Sequence, residues 1–430
     1  MKKGLLVCLV VLFLLTTFAL IPKGYSKNTL SVKDSSINTT VSTDELSEIL
    51  RTWIIKNEAQ YYKNISIATT PVKVEIKDSK IEGTFTVTVS EVLKAITPEE
   101  LPAIRGMERF RDLKKGELSP SQNNAVNKEL TSWITELKGY IGKTETLNID
   151  FKVVADLSEA GSILLDTVNF FADNSMGDFY KIYSLVPTAD EMEEEGFNHA
   201  KEIADKAKDA AFSQTSQYCY TVDEYRRCDP NNPPDPAHGV YGDYNNYAAN
   251  YADRYTNDHG NFDTDNYNLA NYVAYQNPPF NGSDCANFVS QAMFAGGIPM
   301  STTHDVEHWW YDSSNLPPDY APWIWTTAVK ENNNWGLRNY MYYNGYWADS
   351  DLYWANAGSV MMWTNSSDSP GHVAMIVQND TINRALSAHT NNHQHLFYSE
   401  GSYFNNTNMD FYTVHHYVTY CYASQPGTPK

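Results

Sequence analysis

Ser283-Asp-Cys-Ala-Asn-Phe-Val-Ser-Gln-Ala-Met-Phe-Ala-Gly-Gly-Ile-Pro299 has the pattern of one helix with a cysteine in its first turn. Ser283 or Asp284 can cap its start by accepting a free backbone N–H on a side-chain oxygen. Phe288, Val289, Ala292 and Met293 recur at helical spacing and predict one buried face. Gly296-Gly297 offers a left-handed stop, and Pro299 prevents continuation. A thiol at a helix N-terminus lies at the positive end of the helix dipole, which favours thiolate. Taken alone, a cysteine in such a place is a small buried hydrophobe, so the rest of the chain has to supply its chemistry.

The 430 residues are long enough for two domains or three small ones. Met1-Lys2-Lys3 followed by the apolar run Leu5–Leu15 and by Pro22-Lys23-Gly24 has the form of a signal peptide over residues 1–26, and 27–43 reads as a flexible polar leader. No later stretch approaches the roughly 18 apolar residues of a spanning helix, so the expectation is an exported protein that is not integral to the membrane. The formal charge of −20 becomes −23 once Lys2, Lys3 and Lys23 leave with the signal, which argues against nucleic acid or an anionic membrane as partner. Four cysteines remain after Cys8 is removed. Cys219 and Cys228 flank a short polar loop and can bridge, Cys421 can compete for either, and Cys285 is left as a candidate free thiol.

Residues 44–215 read as an α+β domain of unread role. Helical patterns cover Asp44–Tyr62, Asn123–Ile141 and Thr188–Phe212. Alternation on either side of Lys77-Asp78-Ser79 predicts a hairpin within Val72–Lys94. Leu147–Leu157 and Phe179–Leu185 are further strands. Asp229-Pro-Asn-Asn-Pro-Pro-Asp-Pro236 is too rich in proline for helix or central strand, so residues 216–240 read as a stiff linker. Beyond it, 241–425 form a second domain: a tyrosine-striped helix (Tyr244, Tyr247, Tyr251, Tyr255), the Cys285 helix, and strands at Gly358–Trp363, Val373–Val377, Arg384–His389 and Phe411–Tyr417.

A cysteine nucleophile needs a base, and the base needs an orienter. His372 opens an apolar strand after Ser-Pro-Gly, and His389 ends the next one. If those strands pair as a hairpin about Asn379-Asp380, both histidines come to the same end.

Asp284-Cys285-Ala-Asn-Phe-Val-Ser-Gln-Ala resembles the signature of the putative amidase-domain family of exported bacterial proteins. Tyr244-Asn-x-x-Ala-Ala-x-Tyr-Ala, Trp309-Trp-Tyr and Ser387-x-His-Thr-Asn391 resemble further pieces of it. More distantly, Gly358-Ser-Val and Gly371-His-Val-Ala-Met-Ile are similar to NlpC-type and CHAP cell-wall amidases and endopeptidases. The resemblance covers about Tyr244–Tyr422. It implies a papain-like C-terminal domain, preceded by a separate small α+β domain, that hydrolyses amide bonds through a thioester on Cys285. His372 would be the base, and His389 would hydrogen-bond its other nitrogen, with Asn391 the alternative in that place. The Cys285 N–H would donate to the oxyanion, with Tyr251 or Tyr255 as a second donor, and Asp284 would cap the helix and fix neighbouring loops. Peptide or another amide, with peptidoglycan first, is the implied substrate, and no cofactor or metal is required.

Two other chemistries have weaker patterns. His304 and His308 stand four apart with His393 and His395 further on, but the metalloprotease signature is absent. Asp258, Asp263 and Asp265 lack the glycine of a calcium loop. A non-catalytic peptide- or glycan-binding module on the same fold is the alternative outside enzymes.

Overall fold

The computed structural model describes residues 43–173, 179–212, 217–221, 226–227, 244–258, 263–272, 274, 284–296, 337, 352–364, 370–390, 392–398, 409–412 and 419–423. The expected signal peptide and leader, Cys228, the prolines of the linker, Asn391, His304 and His308 lie outside them.

The chain begins with helix α1 (Thr43–Glu58), which buries Leu46, Leu50 and Ile54 at i, i+4 and i+8. Strands β1 (Tyr62–Lys77) and β2 (Lys80–Leu93) form the expected hairpin, with Lys77 paired to Lys80. Asp78 and Ser79 between them both have positive φ (51° and 59°), the backbone of a two-residue turn that matches strand twist. Helices α2 (Pro102–Lys114) and α3 (Pro120–Leu137) follow; the second starts in a capping box between Ser119 and Gln122. Then come β3 (Thr144–Asp156), β4 (Asn169–Asp173), β5 (Phe179–Ile182) and the long helix α4 (Ala189–Phe212). Helix α2 was not foreseen. The helix expected to reach Tyr62 stops at Glu58, because Tyr62 is already a strand residue paired with Leu93.

Helices α2 and α4 approach so closely that a Cβ on Gly106 would lie 1.9 Å from the Glu193 carbonyl oxygen, and one on Gly196 1.8 Å from that of Ala103. Only glycine allows that contact.

Short strands β6 (Gln217–Thr221) and β7 (Arg226–Arg227) pair with each other, and β6 pairs with the late strand β13 (Thr419–Ala423). That register sets Cys219 opposite Cys421. Helices α5 (Tyr244–Arg254) and α6 (Cys285–Ala295) precede β8 (Val360–Thr364), β9 (Pro370–Asn379), β10 (Arg384–Ala388), β11 (His393–Phe397) and β12 (Met409–Tyr412).

The class is α+β with a mixed sheet. One ten-stranded sheet runs β1-β2-β3-β11-β10-β9-β8-β12, with β4 and β5 branching from β3. The join is a parallel pair, Leu396 opposite Asn148, and every other strand pair in the sheet among the described residues is antiparallel. The sheet thus passes from residues 44–215 into the C-terminal strands without a break. One hydrophobic cluster likewise spans both, holding Leu46, Phe85 and Phe151 together with Phe288, Val373 and Phe397. Strand order therefore couples two stretches that the proline-rich linker separates in sequence. No helix among the described residues is long and apolar enough to cross a membrane.

Candidate active site

Helix α6 is apolar almost all round: every residue from Cys285 to Met293 is buried. It lies against β9, with α5 beside it. At its far end Gly296 keeps right-handed dihedrals (φ −68°, ψ −15°), so the helix does not stop there by the expected left-handed turn, and Gly297 lies outside the described residues.

The start of α6 also departs from expectation. Asp284 makes no side-chain cap to the helix backbone. Its carboxylate is drawn elsewhere: Oδ1 accepts from Asn287 Nδ2 at 2.9 Å, and Oδ2 lies 2.7 Å from Nδ1 of His389. The Asp284 N–H donates to Thr390 Oγ1 at 2.7 Å, tying the same turn to the residue after His389. His389 Nε2 lies 2.6 Å from the Tyr255 carbonyl oxygen. Each ring nitrogen thus faces an oxygen, one from the Asp284 carboxyl group and one from the main chain. Its plane is stacked between Tyr267 (3.5 Å between centroids) and Phe288 (3.9 Å). Asp284 and His389 are buried to within 1% of full burial.

His389 therefore does not hydrogen-bond His372, and the register explains why. Strands β9 and β10 do pair as a hairpin, with Ser387 opposite Met375. Continuing that register sets position 389 beside Val373, not beside His372. Adjacent residues of a strand point to opposite faces, so the two histidines come to the same end of the hairpin on different sides of the sheet. The clusters agree: Val373, Met375 and Ala385 pack with Cys285 and Phe288, whereas Ala374, Ile376, Leu386 and Ala388 form a separate cluster. By alternation His372 belongs with Ala374 and Ile376. It is buried, and its pKa is lowered to about 4, first by burial and then by the nearby His393 charge. His393 itself is lowered by burial, against the pull of Asp150.

Tyr251, a candidate oxyanion donor, gives its hydroxyl proton to Gln291 Oε1 (2.7 Å) and accepts from Asn268 Nδ2 (3.0 Å). Burial raises its pKa. Tyr255 serves the site through its carbonyl, with its ring against Tyr251. Cys285, 2% exposed, follows directly on the Asp284 clamp. A shallow depression is lined by Asp284, His389 and Gln291 together with Tyr267, Leu269 and Tyr272.

The residues weighed for metals are engaged elsewhere. His395 bonds the Thr146 carbonyl (2.7 Å) and pairs with Asp253 (3.0 Å), while Asp258 accepts from Asn148 and the Gln394 N–H. Among the described residues no group of three His, Cys, Asp or Glu side chains is arranged to hold a metal ion. Sequence reading missed the Asp284–His389 pairing. The signal it had was Asp284 beside the cysteine, which it read as a cap.

A helix opening on a cysteine, packed on antiparallel strands beside a histidine held by a carboxyl group, contains the groups a hydrolase site uses. Residues 243–414 match the family described as putative amidase domain. No curated protein and no solved structure is significantly similar to the chain.

Proposed function

We propose that residues 243–414 hydrolyse amide bonds with Cys285 as nucleophile, on a papain-like plan. The observation that carries the reading is the Asp284–His389 pair at the first turn of α6, within a stretch that matches an amidase family. A cationic imidazolium and the positive helix end both favour thiolate at Cys285. The thiolate attacks the amide carbon, and the Cys285 N–H receives the developing oxyanion. His389, released from the Tyr255 carbonyl, gives its Nε2 proton to the leaving amine. Neutral His389 then takes a proton from the water that cleaves the thioester. Asp284 fills the orienting role first sought in His389 or Asn391, and His389 the role first sought in His372.

The proposed setting is outside the cell, with wall peptide as substrate, on the strength of the N-terminal leader pattern and the distant wall-enzyme resemblance. Residues 44–215 would hold the C-terminal strands through the shared sheet. The test is to incubate purified wall material and a panel of small amides with wild type, Cys285→Ala, His372→Ala and His389→Ala, and measure new amino groups. Activity lost in Cys285→Ala and His389→Ala supports the proposal. Loss in His372→Ala with activity kept in His389→Ala returns the base to His372. Full activity in Cys285→Ala ends cysteine catalysis.

A further inference from the structure

Away from the site, the Asp380–Asn383 turn that joins β9 to β10 is driven into the N-terminal half of the molecule. Tyr62 donates its hydroxyl to Asp380 Oδ2 at 2.7 Å. The Asn383 amide nitrogen bridges two carboxylates, Glu58 Oε2 at 3.2 Å and Glu91 Oε1 at 2.7 Å. Glu58 comes from the end of α1 and Glu91 from the end of β2, so three segments far apart in sequence meet through three acids. Glu58, Glu91, Asp380 and Asn383 are each no more than 1% exposed. Glu58 Oε1, Glu91 Oε2 and Asn383 Oδ1 are buried without a hydrogen-bond partner. Three carboxylates cannot all remain charged in such a place, since removing each from water costs several kcal/mol.

We propose that this junction is a proton-held clasp: Glu58 and Glu91 bind the Asp380–Asn383 turn in their protonated form, and the turn is released as they ionise in alkaline solution. Two neutral acids cost far less to bury than two carboxylates, and they remove the repulsion with Asp380. Burial also raises the Asp380 pKa, against the Tyr62 hydroxyl, the Asn383 and Ile382 N–H groups and, last, Arg384, which favour its charged form; Lys143 favours that of the neighbouring Glu145. Glu145 adds negative charge when ionised, whereas Tyr62 and Tyr140 stay neutral hydroxyls; burial raises the pKa of all three.

The direction of the pH effect follows from proton counting. Burial, and after it the Asp380 charge, raise the Glu91 pKa from 4.5 to about 8; burial and then Glu91 raise Glu58. Between the two Glu91 values the folded chain binds more protons than the unfolded one. The stabilisation is therefore full below the ordinary carboxylate range and is lost as pH rises through about 8. Because β10 runs from this turn to His389, release at one end loosens the strand that delivers the imidazole at the other.

The experiment uses the purified full-length chain and its Glu58→Gln and Glu91→Gln variants, which mimic the neutral acids. Thermal unfolding and amide exchange are followed from about pH 6 to about pH 9. In wild type the melting temperature should fall over that range, and protection of the Ile382 and Asn383 amides, which donate to Asp380 Oδ1, should drop about tenfold relative to intrinsic rates. In the glutamine variants the fall should be shallower and that local protection retained. Glu145 also titrates here, so the local amides are the deciding readout. Protection in wild type that does not change with pH overturns the proposal even if a variant fails to fold. So do variants whose profiles run parallel to wild type. Calcium that restores wild type at alkaline pH, reversed by chelator, would make the clasp a cation site and overturn it equally.

Discussion

Asp284 Oδ2 and His389 Nδ1 lie 2.7 Å apart, both fully buried, and they join the turn before Cys285 to the end of β10. The pair fixes where the helix start sits, because the other Asp284 oxygen is held by Asn287 and its N–H by Thr390. Breaking a buried pair by removing one partner leaves a buried charge uncompensated.

Asp284→Ala should therefore destabilise the fold by about 3–5 kcal/mol and abolish amide hydrolysis. Asp284→Asn keeps the shape and should cost less stability while still cutting kcat strongly. Denaturant unfolding beside kinetics on the same preparations separates the two effects. An Asp284→Asn enzyme with wild-type kcat would remove the orienting role.

His372 supplies an acid-side prediction. Its pKa is lowered from 6.5 to about 4 by burial, so below about pH 6.5 the unfolded chain takes up a proton that the folded chain refuses. The contribution is complete above the ordinary histidine range and is lost as pH falls towards 4, on the order of 3 kcal/mol in all. His372→Gln should flatten the acid limb of stability against pH. An unchanged acid limb would show that His372 is charged or solvated in the fold.

Tyr251→Phe removes the bond to Gln291 and should cost about 1 kcal/mol, more if Gln291 Oε1 is left dry. Amide hydrolysis should persist, because that hydroxyl is directed at Gln291. A loss of kcat without loss of stability would restore Tyr251 as an oxyanion donor.

Gly106→Ala tests the helix pair beneath the N-terminal strands. Its added methyl would meet backbone atoms of Glu193 and Phe197 on α4, which cannot move aside as a side-chain end can. A loss of about 3 kcal/mol or more is expected from overpacking against main chain. A neutral result in thermal unfolding would mean that the two helices separate readily.

Local chemistry was legible wherever it is written in neighbours. The β1–β2 hairpin followed from alternation about Asp78-Ser79, α3 from apolar periodicity, and α4 from a helical pattern with an acidic start and basic later turns. Helix α2 was missed although Ala103, Ile104, Met107 and Phe110 form its buried face; Gly106 within that face is there for contact with α4, not for helix propensity. Strand β11 was missed because His393-Gln-His carries a polar face that bonds other segments.

By itself the sequence determined that Cys285 opens an apolar helix, that two strands around Asn379-Asp380 form a hairpin, and that the motifs resemble those of amidase domains. Each depends on periodicity or order along the chain. Tertiary structure decided which histidine reaches the cysteine's side. A bulge between Ala385 and Leu386 shifts the β9–β10 pairing by one residue, and one residue is the difference between the two faces of a sheet. It also decided that Asp284 turns from its own helix to His389. A carboxyl group that can cap a backbone N–H will leave it for a buried side-chain partner within reach, and only the fold brings His389 there.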